Sequence, residues 1–300
     1  MKKTRILLSA LVLSVLSACG GGGGGSSTAQ STGGVSGVVT KGPLNAATVT
    51  AYAISSGQMG NQLASTVTDA TGQFSLTVGG YTGPMLLQVS GGSFVDEATG
   101  LTMGMAPGDV MTLVLPSSSV GQGGMSGLQV TPVTSMAQML ALRMSGGMND
   151  ANIQAANAAM GSYFSIADIV HTAPMNPLMA GSGTNASIDA QNYGMVLASI
   201  SQYAQIRGMS TTSSMVSALM MDAADGLMDG MAFGAPIVTS TASGNIQLPT
   251  DAGRAGLSGA MNVFMNSARN KSGVTSMPLM NRLNGATGQM MSGSGMMMGT

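Results

Sequence analysis

The sequence predicts an α+β multidomain protein, a small β-sandwich over residues 35–115 followed by an irregular all-α domain over residues 128–285. Three observations carry that expectation. Apolar residues alternate with polar ones, period two, through the first of these stretches, with Gly-rich turns between the runs. The apolar spacing then changes to three or four residues, starting just after Thr131-Pro132. Finally, 44% of the chain is hydrophobic while only 3% is aromatic and 7% charged, so a core is available and must be built from Ala, Val, Leu, Ile and the 30 Met residues.

The strand-like part opens at Val35, Gly37 and Val39, before a turn at Lys41-Gly42-Pro43-Leu44-Asn45. Ala47, Val49, Ala51 and Ala53 alternate with Thr48, Thr50 and Tyr52, as a half-buried strand does. A run closing at Val67 leads to a turn at Asp69-Ala70-Thr71-Gly72, where Asp bonds the following backbone and Gly takes positive φ. Phe74, Leu76 and Val78 resume the alternation, and "GPMLLQVSG" and Met111–Pro116 supply two further strands. The pattern "GVVTKGPLNAATVTAY" followed by "TDATGQFSL" resembles carboxypeptidase regulatory-like and prealbumin-like modules over about 80 residues. That resemblance implies a spacer or binding element with no catalytic residues of its own.

The helical part begins with Thr131 as N-cap and Pro132 at the first helical position. The spacing predicts helices over 132–145, 150–160, 189–207, 212–227 and 251–268, with Gly146-Gly147 and Gly161 as stops. The order "VTPVTSMAQ", "FSIADIVHTAPMNP", "DAADGLMDG" resembles the helical part of uncharacterised lipid-anchored surface proteins of Gram-negative bacteria, a likeness of architecture that implies no chemistry.

Residues 1–18 read as a leader, with Lys2, Lys3 and Arg5 ahead of an apolar core from Ile6 to Leu16. Leu16-Ser17-Ala18-Cys19 resembles the bacterial lipobox. The resemblance implies cleavage before Cys19, a diacylglyceryl thioether on its sulfur and an acyl chain on its amine. Several acyl chains at ~0.8 kcal/mol per buried CH₂ anchor a protein durably, which one chain does not. Gly20, rather than Asp, after the cysteine implies the outer membrane. Residues 19–34 then form the lipidated cysteine and a Gly/Ser tether, with an r.m.s. reach of roughly 20–25 Å. Outside the leader no run approaches the ~18 apolar residues of a spanning helix.

Composition also limits the partners. The formal charge of the chain is −1, and three of its 10 basic residues fall in the leader against none of its 11 acidic ones. With no basic stripe, nucleic acid is not an expected partner. The expected partners are the membrane, through the lipid, and a protein or glycan.

Catalytic chemistry finds little to work with. His171 is the single histidine, and Asp168 precedes it by three residues, but no G-x-S-x-G nucleophile motif accompanies them. His171 is therefore read as a capping or packing residue, and no enzyme activity and no cofactor are expected. Asp69 is read as a turn residue, and Asp96-Glu97 in "GGSFVDEATG" as a solvated loop; neither they nor Asp109 make a calcium loop. Asp222, Asp225 and Asp229 fall on one face if their helix continues, which would suit a cation, but Gly226 and Gly230 favour a helix stop with a solvated acidic face.

The methionines raise the remaining question. Thioether sulfur favours Cu(I), and the Met/Gly-rich tail over 286–300 holds Met290, Met291, Met296, Met297 and Met298 as candidate ligands. Against that stands methionine's ordinary use as an adaptable core filler, and for the tail, a flexible end or an oxidant sink. The function expected from the sequence is a lipid-anchored cell-envelope protein acting as a structural or interaction module. The alternative is a periplasmic or surface Cu(I)-binding protein using the tail.

Overall fold

The computed structural model describes residues 33–120 and 124–291. Cys19, the leader and most of the tether lie outside them. The fold contains both sheets and helices. Strand β1 (Gly34–Val39) is followed by β2 (Thr48–Ser55), β3 (Gln58–Val67), β4 (Gln73–Thr77), β5 (Met85–Ser90), β6 (Ser93–Val95), β7 (Thr102–Gly104), β8 (Val110–Leu115) and β9 (Met125–Val130). These make a three-stranded sheet in the order β4-β1-β9, a four-stranded antiparallel sheet in the order β3-β2-β5-β8, and a hairpin of β6 and β7.

The alternation read from the sequence is what buries these strands. Val49 and Ala51 of β2 are buried, and Phe74 and Leu76 of β4 face inward between exposed neighbours. The turn at Asp69 forms as expected: its Oδ1 accepts the amides of Thr71 at 2.8 Å and Gln73 at 3.0 Å. The Thr71 hydroxyl also donates to that oxygen at 2.7 Å, and it contributes most, with the two amides, to holding the Asp69 carboxyl below its ordinary range.

Strand β9 was not expected. It pairs parallel to β1, with Gly37 opposite Leu128 and Val39 opposite Val130. A Cβ on Gly37 would stand 2.3 Å from the Leu128 carbonyl oxygen, so the close approach requires glycine. The pairing ties the start of the helical region to the first sheet. The sequence placed a boundary between residues 115 and 128; the described residues all fall in one compact unit, with one apolar core running from Val35 to Leu283 across that point.

Among the described residues six α-helices follow: α1 (Pro132–Arg143), α2 (Asp150–Phe164), α3 (Ile188–Ile206), α4 (Thr212–Asp222), α5 (Leu257–Met265) and α6 (Pro278–Gly285). Thr131 caps α1 as its spacing demands, its hydroxyl accepting from Thr134 N and the Thr134 hydroxyl accepting from Thr131 N. Helix α2 runs past Gly161, which packs inside it rather than ending it. Helix α4 stops at Asp222, short of the expected 227. Two small hairpins that the sequence did not announce lie between α4 and α5: β10 (Met231–Ala232) with β11 (Ala235–Pro236), and β12 (Val238–Thr241) with β13 (Gly244–Gln247). Among the described residues no helix is long and apolar enough to cross a membrane.

Candidate functional site

A buried cluster of one lysine, two carboxyls and two hydroxyls is built around residues that read locally as solvated turns. Lys41 sits in the turn after β1, and that turn is aligned with β6 by a pair of bonds, Asn45 N to Ser93 O at 2.8 Å and Ser93 N to Asn45 O at 2.9 Å. The alignment sets Lys41 beside the two residues that follow β6, Asp96 and Glu97. Read as a solvated loop, Asp96-Glu97 is instead buried, 1% and 3% exposed, and Lys41 is 2% exposed. The burial has a physical cause: α3 and α4 lie over the loop and supply the Ser201 and Thr212 hydroxyls to it.

Lys41 Nζ donates to Glu97 Oε2 at 2.6 Å, to Ser201 Oγ at 2.6 Å and to the Leu197 carbonyl oxygen at 3.0 Å. Leu197 and Ser201 are four residues apart, so both face the same side of α3. The Phe94 ring centroid stands 5.8 Å from Nζ. Ser201 Oγ lies 2.8 Å from Asp96 Oδ2 and 2.6 Å from Glu97 Oε2. Thr212, the first residue of α4, donates to Asp96 Oδ2 at 2.6 Å. On its other oxygen Asp96 accepts the amide and hydroxyl of Thr99, both at 3.0 Å.

Burial alone would push the Asp96 carboxyl up. The Lys41 charge, the hydroxyls of Thr212 and Ser201 and the Thr99 amide outweigh it and hold Asp96 below its ordinary value. The cluster thus holds one ammonium and two carboxyls, and Ser201 has a single proton for its two acidic neighbours. Buried charges persist only when paired and hydrogen-bonded in this way.

Glu97 also lines a cleft of about 180 Å³. One wall is Val38 and Pro43 around the Lys41 turn; the other is the 173–177 connection and Leu197 of α3. The connection lies flat on α3 because residue 194 is glycine: a Cβ there would meet the Met175 carbonyl oxygen at 2.0 Å. Pro174, Met175 and Pro177 make the cleft largely apolar, with Thr40, Glu97, Gln129 and Asn176 as its polar groups.

His171 Nδ1 is 2.8 Å from Asp168 Oδ2, both side chains half exposed. Asp168 also accepts the amides of Val170 at 2.9 Å and His171 at 3.1 Å. Partial burial raises the Asp168 carboxyl, but these bonds, the His171 side chain first, prevail and leave it lowered. The pair closes a turn, and Asp168 is the hydrogen-bond partner His171 has among the described residues.

Asp222, Asp225 and Asp229 do not share a helix face. They accept backbone amides in the turns after α4: Asp222 Oδ1 takes Asp229 N at 2.9 Å and Gly230 N at 2.7 Å, Asp225 takes Leu227 N at 3.2 Å and Phe233 N at 2.7 Å, and Asp229 takes Met231 N at 3.1 Å. Asp222 is wholly buried rather than solvated. Among the described residues no group of three or more His, Cys, Asp or Glu side chains is placed to hold a metal ion.

Of the candidate copper ligands, Met290 and Met291 pack half-buried against the core. Ordered pairing continues past the expected start of the tail at 286: Met228 N donates to Gly288 O and Met290 N to Gly226 O, both at 2.9 Å. Met296, Met297 and Met298 lie outside the described residues.

No protein-family model matches the chain, and no curated protein matches it. Among solved structures, a 9R-lipoxygenase from Cyanothece PCC8801 aligns at 16% identity over 33% of this chain and 16% of that one, with a TM-score of 0.23. A likeness of that size carries no argument about fold or activity.

Proposed function

We propose that the chain is a lipid-anchored cell-envelope protein that acts as a structural or interaction module, not as an enzyme. In this reading Cys19 carries the lipid at the outer membrane, the Gly/Ser segment gives reach, and the unit from residue 35 onward meets a protein or glycan partner. The strands up to residue 115 serve as a carboxypeptidase regulatory-like sandwich module and the helices as the part it presents.

The observation that carries the reading is the cleft between the Lys41 turn and the 173–177 connection. Its walls are held by buried polar bonds and by backbone packed on backbone, so its shape is preset, and preset apolar concavities with a few polar groups are the usual sites of recognition. Ala173 is exposed on its rim. A photo-crosslinking amino acid placed at Ala173 in intact cells should capture a discrete partner that the same group at Ser243, in the β12–β13 turn, does not. Equal capture at both positions, or none at either, defeats the reading of the cleft. The anchor is tested separately: labelling by a radioactive fatty acid should vanish in Cys19→Ala.

A further inference from the structure

Lys41 Nζ touches Glu97 Oε2 at 2.6 Å in a site where neither side chain is more than 3% exposed. From this contact we infer that Lys41 and Glu97 become joined by an amide between Nζ and the Glu97 side-chain carbon, formed by the protein's own fold with release of one water.

Three features of the site favour condensation over a lasting ion pair. The first is proximity. Reactants held in contact and in fixed orientation behave as if present at about 10⁵–10⁸ M. The fold supplies that orientation through Leu197 and Ser201 on one side and the Thr99–Asp96 turn on the other. The second is burial. With both side chains no more than 3% exposed, bulk water is held away from the pair and does not compete with the amine for the carboxyl carbon. The third is the neighbouring Asp96–Ser201 pair. Ser201 Oγ reaches both Lys41 Nζ and Glu97 Oε2, and is backed by the Asp96 carboxylate at 2.8 Å. It can pass a proton from the attacking nitrogen to the departing oxygen.

The step balances. The ion pair first exchanges a proton, so that Nζ carries two hydrogens and Oε2 one. The nitrogen lone pair attacks the carboxyl carbon, and the carbon–nitrogen bond forms. The bond from carbon to Oε2 breaks, and one hydrogen of Nζ leaves with that hydroxyl as water. The other oxygen of Glu97 becomes the amide carbonyl. One hydrogen stays on the amide nitrogen, and the Leu197 carbonyl, 3.0 Å from Nζ, is placed to accept it. Two opposite charges disappear from the interior, and the Asp96 carboxyl keeps its bonds from Thr212, Thr99 and Ser201.

The bond would close a loop between residues 56 apart in sequence. Such a closure removes loop entropy from the unfolded chain, as a disulfide does. This chain has one cysteine and so cannot form an internal disulfide. The inference is independent of the anchor and of the cleft's partner.

The test is mass spectrometry of the full chain purified from cells and then denatured, compared with Lys41→Arg, which keeps the cation and the same processing but lacks the amine. After allowance for the substitution, the wild type should be lighter by one water. Its digest should contain a branched peptide whose fragment ions place the linkage on Lys41 and Glu97. Recovery of Lys41 and Glu97 in unmodified peptides from folded wild-type protein overturns the inference, as does a linkage to Asp96. If Lys41→Arg does not fold, the wild-type digest alone decides.

Discussion

Ser135, in the first turn of α1, accepts the backbone amide of Thr112 on strand β8 at 2.8 Å. Strand β8 is an edge of the four-stranded sheet, and an edge amide without a partner is both costly and a template for aggregation. Thr134 completes the cover by donating its hydroxyl to the Thr112 carbonyl at 2.8 Å. A helix cap and a sheet edge are thus one piece of structure. Ser135→Ala should cost about 1–3 kcal/mol, because it leaves a buried N–H unpaired. Hydrogen exchange resolved by residue should show the Thr112 amide opening faster than in wild type while Val89 and Val49 amides keep their relative order. Unchanged protection at Thr112 would show that the edge is covered by other means.

The Lys41 cluster predicts a second outcome. Lys41→Met leaves the Glu97 and Asp96 carboxyls buried with neither a cation nor a link to Lys41, and stranding buried charge in this way costs roughly 3–5 kcal/mol. Loss of a covalent link would add to that. Lys41→Met/Glu97→Gln removes one of the two stranded carboxyls, leaving Asp96, and should recover part of the loss. Urea unfolding of the three proteins gives the answer. A single variant as stable as wild type would mean that the cluster contributes nothing.

These two sites also mark what the sequence did and did not disclose. The cap of α1 was legible because Thr131-Pro132 is a local signal with a local cause. So was the Asp69 turn, whose bonds all fall within four residues. The Lys41 cluster was not. Lys41 stands between Thr40 and Gly42-Pro43, and Asp96-Glu97 between Gly92 and Gly100, so each looks like a solvated turn. The groups that bury them, Leu197, Ser201 and Thr212, are 104 to 160 residues away in sequence. Strand β9 was hidden for a related reason: only Leu128, Gln129 and Val130 of its six residues are buried, so it shows no alternation, and its parallel partner is β1. Asp222 looked like part of an acidic face because its turn amides come from Asp229 and Gly230, beyond the helix that periodicity extends to 227.

Asp222 predicts a pH dependence. Burial pushes its carboxyl from 3.8 up to about 7, against the bonds from Gly230 and Asp229, while the nearby carboxylates of Asp229 and Asp225 push it further. The folded state therefore holds this proton more tightly than the unfolded chain. Its stabilising contribution is fully present below pH 3.8, and falls away as pH rises through about 7. A shift of that size corresponds to about 4 kcal/mol between the two limits. Asp96 and Asp168, whose carboxyls are lowered, act in the opposite sense and lose stability as pH falls. The comparison must therefore be made against Asp222→Asn, which keeps an acceptor for the two amides and cannot titrate. The difference in melting temperature between wild type and variant should move in favour of the variant from pH 5 to pH 9. A difference that stays constant across that range removes Asp222 as its cause.

Gly194 and Gly259 give a paired prediction, because both stand in helices and their surroundings differ. Gly194, in α3, faces the backbone of Met175, with its would-be Cβ 2.0 Å from the carbonyl oxygen and 2.9 Å from the carbonyl carbon. Gly259, in α5, is exposed and has nothing within 4 Å of the same position. Helix propensity favours alanine by roughly 0.5–1 kcal/mol at either site. At Gly259 nothing opposes that gain, so Gly259→Ala should raise stability by about that amount. At Gly194 the backbone cannot yield as a flexible side chain would, and overpacking of this kind costs about 1–3 kcal/mol. Gly194→Ala should therefore lower stability despite the better helix former. It should also lift the 173–177 connection off α3, deform the cleft, and reduce crosslinking from position 173 while leaving fatty-acid labelling of Cys19 intact. Equal effects of the two substitutions would mean that the connection does not depend on its contact with α3, and the cleft would then have no fixed wall.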